Sequence, residues 1–355
     1  MTREELCAVR GNVLKKYNSI GKAVSTEPYG NGHINDTFLV ISESGKRYIL
    51  QRINSSVFPH PHEVMANIKA VTEHIRGKAK EDISRSTLTV IPTDSGESFH
   101  VDENGSYWRL YDFVEGTVSR ERAESLEEFE ACAEAFGRFQ GYLADFPADS
   151  LYEAIADFHN TPVRYENLMR AIERDSAGRA CEVTREIAFV KERAEFACLF
   201  EREREAGRLP LRVTHNDTKL NNILFDANTL LPVCVIDLDT VMPGYSMNDF
   251  GDSIRFGANS TPEDETDLSR VTLDMELYRA FERGYIRGCG GSLTPLEIEL
   301  LPMGARMMTF ECGMRFLADY LDGDVYFKIS PDRPKHNLER ARCQFALLAD
   351  MEKKL

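Results

Sequence analysis

Several things are scarce or missing in this chain, and each absence removes a class of function. Basic residues are in deficit: 43 Lys and Arg face 58 Asp and Glu, a formal charge of −15. That balance argues against nucleic acid or an anionic membrane surface as a partner. No apolar run approaches the ~20 residues that a membrane-spanning helix needs. Met1 to Leu6 lack the apolar stretch of a secretory leader, so a cytoplasmic protein is expected. The eight cysteines, at 7, 132, 181, 198, 234, 289, 312 and 343, include no C-x-x-C pair. They read as reduced thiols, not as a disulfide framework or a zinc site. A G-x-x-x-x-G-K-[ST] loop is absent, which excludes a Walker-type phosphate cradle. Internal repeats and low-complexity tracts are absent too.

What is present starts with size. At 355 residues, with 42% hydrophobic residues, the chain suits two lobes and can bury sizeable cores. The most informative stretch is His215 to Asn222, H-N-D-T-K-L-N-N. A short apolar strand and Ile236-Asp237-Leu238-Asp239 follow it. One H-x-D is commonplace. H-x-D-x-x-x-x-N followed by a buried strand ending in D-x-D is rare. Phosphoryl transfer from a nucleotide–Mg²⁺ complex needs this inventory: a carboxylate to take a hydroxyl proton, and oxygen ligands for hard cations. Asp217 is the expected catalytic base. Asn222 and Asp237 are the expected metal ligands. Asp239 adds a second metal contact or orders the loop, and His215 braces it.

The first part of the chain reads mainly as strand. A leading helix falls within residues 1–20. Thr37–Ile41 and Arg47–Ile53 pair across a turn at 43–46. His62–Arg76 has helical spacing. Leu88–Ile91, Ser98–Val101 and Trp108–Val114 are further strands, and Asn104-Gly105 is a hairpin turn. From residue 115 the pattern is helical. Ser125 and Glu128 form a capping box. Residues 183–207 read as one charged helix, and 265–287, 295–320 and 337–353 as further helices. The divide therefore falls between an N-terminal lobe, 1–114, and a C-terminal lobe, 115–355, with Glu115-Gly116 as the hinge.

Tyr29 to Asn35 reads Y-G-N-G-H-I-N between strands. Its glycines let backbone N–H groups approach a phosphate, although a plain hairpin turn has the same look. Kinase folds place a lysine on the third strand to grip phosphate. That position here holds Gln51, with Arg52 next and facing the other way. Lys46, Arg52 and Arg315 are the cations considered in its place. Asp249-Phe250-Gly251 imitates the metal-binding D-F-G, but Asp249 opens a helix and reads as a cap or loop brace.

These residues resemble the aminoglycoside phosphotransferase and choline kinase superfamily. Glu27–Asn35, Tyr48–Gln51, Val213–Asn222, Asp237–Gly244, Asp249–Gly257 and Glu311–Tyr320 carry the resemblance. The last two are closest to the group of N-acetylhexosamine 1-kinases. The resemblance implies an α+β fold of the bilobal protein-kinase type: a small β-rich N-terminal nucleotide-binding lobe and a larger, mainly helical lobe. It implies ATP and Mg²⁺ as cofactors and a sugar as substrate, phosphorylated at its anomeric hydroxyl. Gly30, Asn31, Gly32 and Gln51 would meet the nucleotide. His33, Asn35, Arg315 and Tyr326 would meet the sugar or the transferred phosphate. No nucleic-acid or membrane partner is implied, and a monomer is expected. Phe158 to Pro162 (F-H-N-T-P) also belongs to the group's pattern and reads first as a scaffold turn.

Overall fold

The computed structural model describes residues 3–30, 32, 34–80 and 83–355. The chain forms two compact units. One comprises residues 1–118, 149–156 and 224–242; the other comprises 119–148, 157–223 and 243–355.

The first unit is built on an antiparallel sheet. Its strands are β1 (Ala23–Pro28), β2 (Asp36–Ser42), β3 (Arg47–Arg52), β4 (Val90–Ile91), β5 (His100–Val101) and β6 (Tyr107–Asp112), in the order β1-β2-β3-β6-β4 with β5 also on β6. Alternation decides which face is buried. Phe38 and Val40 of β2, Tyr48 and Leu50 of β3, and Trp108 and Leu110 of β6 form a core with Val13, Leu14 and Tyr17. Helix Pro61–Lys78 buries Val64, Met65, Ile68, Val71 and Ile75, the 3.6-residue spacing expected of one face. A second sheet orders β7 (Thr117–Ser119), β9 (Ile223–Asp226) and β10 (Pro232–Val235) as β10-β9-β7. The hairpin β9–β10 ends at the D-x-D segment.

The second unit is helical. A two-stranded ribbon joins β8 (Arg212–Thr214) to β11 (Met242–Gly244). Helix Ser246–Gly257 packs against Leu301–Asp322. A side chain at Gly251 would strike the Gly304 backbone, and one at Gly304 would strike Met247. The glycines thus let these two backbones approach closely. Leu168, Val190, Phe310, Leu317, Leu338 and Phe345 belong to a second apolar core.

Mixed α/β architecture, with the sheet N-terminal and the helices C-terminal, agrees with the sequence reading. Local boundaries differ for identifiable reasons. Residues 183–207 form three short helices, Thr184–Lys191, Ala194–Ala197 and Leu199–Glu205. Arg193 donates to the Phe189 carbonyl at 2.8 Å, stacks on the Phe189 ring and pairs with Glu352. That arrangement ends the first of them. The expected 295–320 helix splits into Pro295–Glu299 and Leu301–Asp322, because Pro302 has no N–H to continue the ladder. Only half of the Ser125 capping box forms. Ser125 accepts from Glu128 N, but the Glu128 carboxylate takes its bond from Glu124 N. Among the described residues no helix is long and apolar enough to cross a membrane. The seven cysteines with described side chains are free thiols.

Candidate active site

In the second unit, β8 delivers the chain into the H-N-D loop. Asn216 takes a left-handed conformation, φ 65°, which turns the backbone sharply before Asp217. A buried carboxylate fixes that turn. Asp249 accepts from His215 N at 2.9 Å and Asn216 N at 2.7 Å, and Gln140 adds a donor at 2.8 Å. Thr218 Oγ1 donates to the Asp249 carbonyl, and Ser253 Oγ to the Thr218 carbonyl. Burial raises the Asp249 carboxyl above its ordinary value, opposed by nearby His215 and the two backbone donors. Asp249 sits in the first turn of its helix without capping it, and it braces the loop. His215 is fully buried, edge-on to Phe136 and Phe139, and its Nδ1 accepts from Asp217 N.

Asp217 itself is about a quarter exposed (28%), and two neighbours aim it. Asn222 Nδ2 donates to the Asp217 carbonyl at 2.8 Å and to its carboxylate at 3.1 Å. Lys219 Nζ lies 2.7 Å from the other carboxylate oxygen. Desolvation works against the Lys219 ammonium, but Asp217 and Asp252 outweigh it and lift it above the usual lysine range. The structure therefore brings Asp217 and Asn222 together, as the loop's spacing predicts.

In the first unit, β10 leads into Asp237, which is also left-handed, with φ 60°. Two residues on, Asp239 is buried and meets Arg109 of β6 through both carboxylate oxygens. Asn35 Nδ2 donates to Asp239 at 2.5 Å, and Asn54 N donates to Asn35 Oδ1 at 3.0 Å. Gln51 and Arg109 are cross-strand partners on β3 and β6. Gln51 Oε1 accepts from Arg109 Nε at 2.9 Å, and Gln51 Nε2 donates to Thr37 at 3.0 Å. Burial opposes the Arg109 charge, but Asp239 outweighs it and holds the guanidinium above its ordinary value.

Sequence reasoning missed Arg109. Its signal was a single charge inside the apolar run Trp108 to Tyr111. Lys46 and Arg52, considered in the place of the missing lysine, pair instead with Asp112 and Asp36. Asp239, expected at the metal or the loop, is engaged by Arg109 and Asn35, and so orders the segment.

Gly30 adopts φ 76°, in keeping with its place in the glycine loop. Asn31 and His33 lie outside the described residues. In the second unit, Arg315 is half-buried, its guanidinium 5.8 Å from the Phe158 ring, 6.0 Å from Tyr326 and 5.5 Å from Phe327. Tyr326 is 69% exposed, and Asp319 accepts from its backbone N–H at 2.8 Å. The structure thus brings Arg315 and Tyr326 together.

The family model described as the phosphotransferase enzyme family (APH) matches residues 25–290, and the chain belongs to that family. Solved structures with the same fold include the microcompartment-associated aminopropanol kinase, 17% identical over 98% of each chain, with a TM-score of 0.66. An amicoumacin kinase in complex with AMP-PNP, Ca²⁺ and Ami is 14% identical over 97% of this chain and 96% of its own, with a TM-score of 0.59. Choline kinase from Cryptosporidium parvum Iowa II is 14% identical over 100% and 96%, with a TM-score of 0.57. The fold is that of these kinases.

Proposed function

We propose that the protein is an ATP- and Mg²⁺-dependent small-molecule kinase whose acceptor is the anomeric hydroxyl of an N-acetylhexosamine. The observation that carries the kinase reading is Asp217: a partly exposed carboxylate after a left-handed turn, aimed by Asn222 and Lys219. A base in this position accepts the hydroxyl proton as the γ-phosphate is transferred.

Asn222 and Asp237 would hold the metal. Both offer oxygen, which suits Mg²⁺. Asn222 turns its NH₂ to Asp217, so its Oδ1 would be the atom to meet the ion. Among the described residues no group of three or more His, Cys, Asp or Glu is placed to hold an ion. Mg²⁺ commonly keeps several waters and is held by one or two carboxylates together with the substrate's phosphates. When bound, the ion neutralises phosphate charge.

The glycine loop, Gly30, Asn31 and Gly32, would cover the phosphates. Gln51 would serve the nucleotide site through Arg109, since both ends of its amide are engaged. His33, Arg315 and Tyr326 would meet the sugar and the transferred phosphate. Asn35 would meet the sugar as well, and its amide also donates to Asp239. The sugar assignment rests on the resemblance of Asp249–Gly257 and Glu311–Tyr320 to the 1-kinases.

An acceptor panel tests this reading. N-acetylglucosamine, N-acetylgalactosamine, glucose, galactose, aminopropanol and choline are each supplied with ATP and Mg²⁺, and ADP release is measured. The expected result is turnover confined to, or fastest with, the N-acetylhexosamines. Preference for an amino alcohol would reassign the acceptor within the same phosphotransferase chemistry.

A further inference from the structure

His159 is a group that the proposed chemistry does not use. It lies just before helix Thr161–Arg174, which Asn160 caps by accepting from Val163 N. Its side chain is only 10% exposed, and the Phe158 ring lies 4.5 Å from its own. Its Nε2 is 3.0 Å from the main-chain oxygen of Asn216. Its Nδ1 is 2.8 Å from Glu311 Oε1. Glu311 is buried, and Thr161 Oγ1 donates to its other oxygen at 2.7 Å.

A main-chain oxygen only accepts. A carboxylate only accepts. A neutral imidazole carries one N–H and satisfies one of them; the imidazolium satisfies both. We infer that His159 is a positioning residue of the catalytic loop: as an imidazolium salt-bridged to Glu311, it clamps the carbonyl of left-handed Asn216 and thereby sets the direction in which Asp217 leaves the turn. That inference rests on the kinase reading for its link to turnover, but not for the location of the proton.

The charges around the pair agree. Burial favours the neutral form of each partner, yet Glu311 lifts His159 above its ordinary value and His159 holds Glu311 below its own. Asp252 adds a further negative charge on His159, and Arg315 a positive one on Glu311. Arg164 also senses Glu311, and it donates to the Phe158 carbonyl at 2.9 Å. The sign of the pH effect follows. A histidine raised on folding lends its full stabilisation below its ordinary value near 6.5, and loses it as pH climbs through the raised value. The clamp therefore fails on the alkaline side.

The test uses the full chain with ¹⁵N-labelled histidine rings. At pH 7 one histidine should show both nitrogens protonated, and that signal should vanish in His159→Gln. In Glu311→Gln the same histidine should lose its second proton at a lower pH, which identifies it even where His159→Gln does not fold. A His159 with one bare nitrogen at pH 7 overturns the inference. In turnover, His159→Gln should lower kcat by ~10–100-fold, the scale of a misplaced reacting group. KM for ATP should stay within a few-fold, and the alkaline fall of kcat should flatten. An alkaline limb identical to that of the native chain overturns the positioning role. A chain that phosphorylates no acceptor overturns the kinase reading and leaves the ring-nitrogen result standing by itself.

Discussion

The two units solve one problem in two ways. Each carries a left-handed residue at a carboxylate of the proposed site: Asn216 before Asp217, and Asp237 itself. Each secures the neighbouring backbone with a buried aspartate. In the second unit that aspartate is Asp249, and its partners are two backbone N–H groups and an amide. In the first it is Asp239, and its chief partner is the guanidinium of Arg109, 130 residues away in sequence. Aligned N–H donors define a local turn and leave the carboxylate's proton affinity raised by burial. An ion pair ties a distant strand to the loop and makes each charge depend on the other. Breaking such a pair from one side is costly, because a bare charge stays buried. Removing Asp249 instead orphans neutral donors, a smaller penalty for each.

The sharpest break acts on turnover. Asp217→Asn keeps the loop's hydrogen-bond geometry but removes the proposed base, so kcat should fall ~10²–10⁴-fold while ATP binding persists. Steady-state rates with calorimetric ATP binding check it; activity within a few-fold of the native chain removes Asp217 from the role.

Next comes the ion pair. Arg109→Met should cost about 3–5 kcal/mol of stability by leaving Asp239 unpaired, and Arg109→Met with Asp239→Leu should recover part of it. Denaturant melts of the single and double variants decide this. A single variant as stable as the native chain would show that the pair is not what holds the D-x-D segment.

Asp249→Ala should cost roughly 1–3 kcal/mol for each donor left unmet, with the Mg²⁺ requirement unchanged. Asp237→Ala should do the reverse, raising the Mg²⁺ needed for half-maximal rate with little change in melting. Opposite results in a magnesium titration would mean that the D-F-G string, not the D-x-D, holds the metal. The mildest effect is expected at Gln51→Ala. It removes a hydrogen bond from the Arg109 guanidinium, about 1.5–3 kcal/mol, and a neutral one to Thr37, about 0.5–1.5 kcal/mol, but no charge. A loss as deep as that of Asp217→Asn would give the amide a direct part in catalysis.

Much of this was legible because it is local. The adjacency of Asp217 and Asn222 follows from their five-residue spacing around one short loop. The strand pairs β2–β3 and β5–β6 follow from alternation and turn chemistry at Gly45 and Gly105. That Asp249 braces and does not cap is half-legible: its place on a helix could be read, but its partners His215 and Asn216 could not. What stayed hidden depends on long-range register. Nothing within Trp108 to Tyr111 says that Arg109 opposes Gln51, or that Asn35 and Arg109 converge on Asp239. The His159–Glu311 pair spans 152 residues and was equally invisible. The break at residues 192–193 depends on where Arg193 finds its partners, which spacing alone does not reveal.

The carbon that receives the phosphate tests the central proposal most directly. In the proposed reaction Asp217 would serve any alcohol, so the residues proposed to meet the sugar, His33, Asn35, Arg315 and Tyr326, would have to choose the hydroxyl. The measurement is phosphorus–proton coupling in the product made from N-acetylglucosamine and ATP, alongside the rate with the methyl glycoside. The account predicts coupling to the anomeric proton and no turnover of the glycoside. Coupling to the C6 protons, or an undiminished rate with the glycoside, would contradict it.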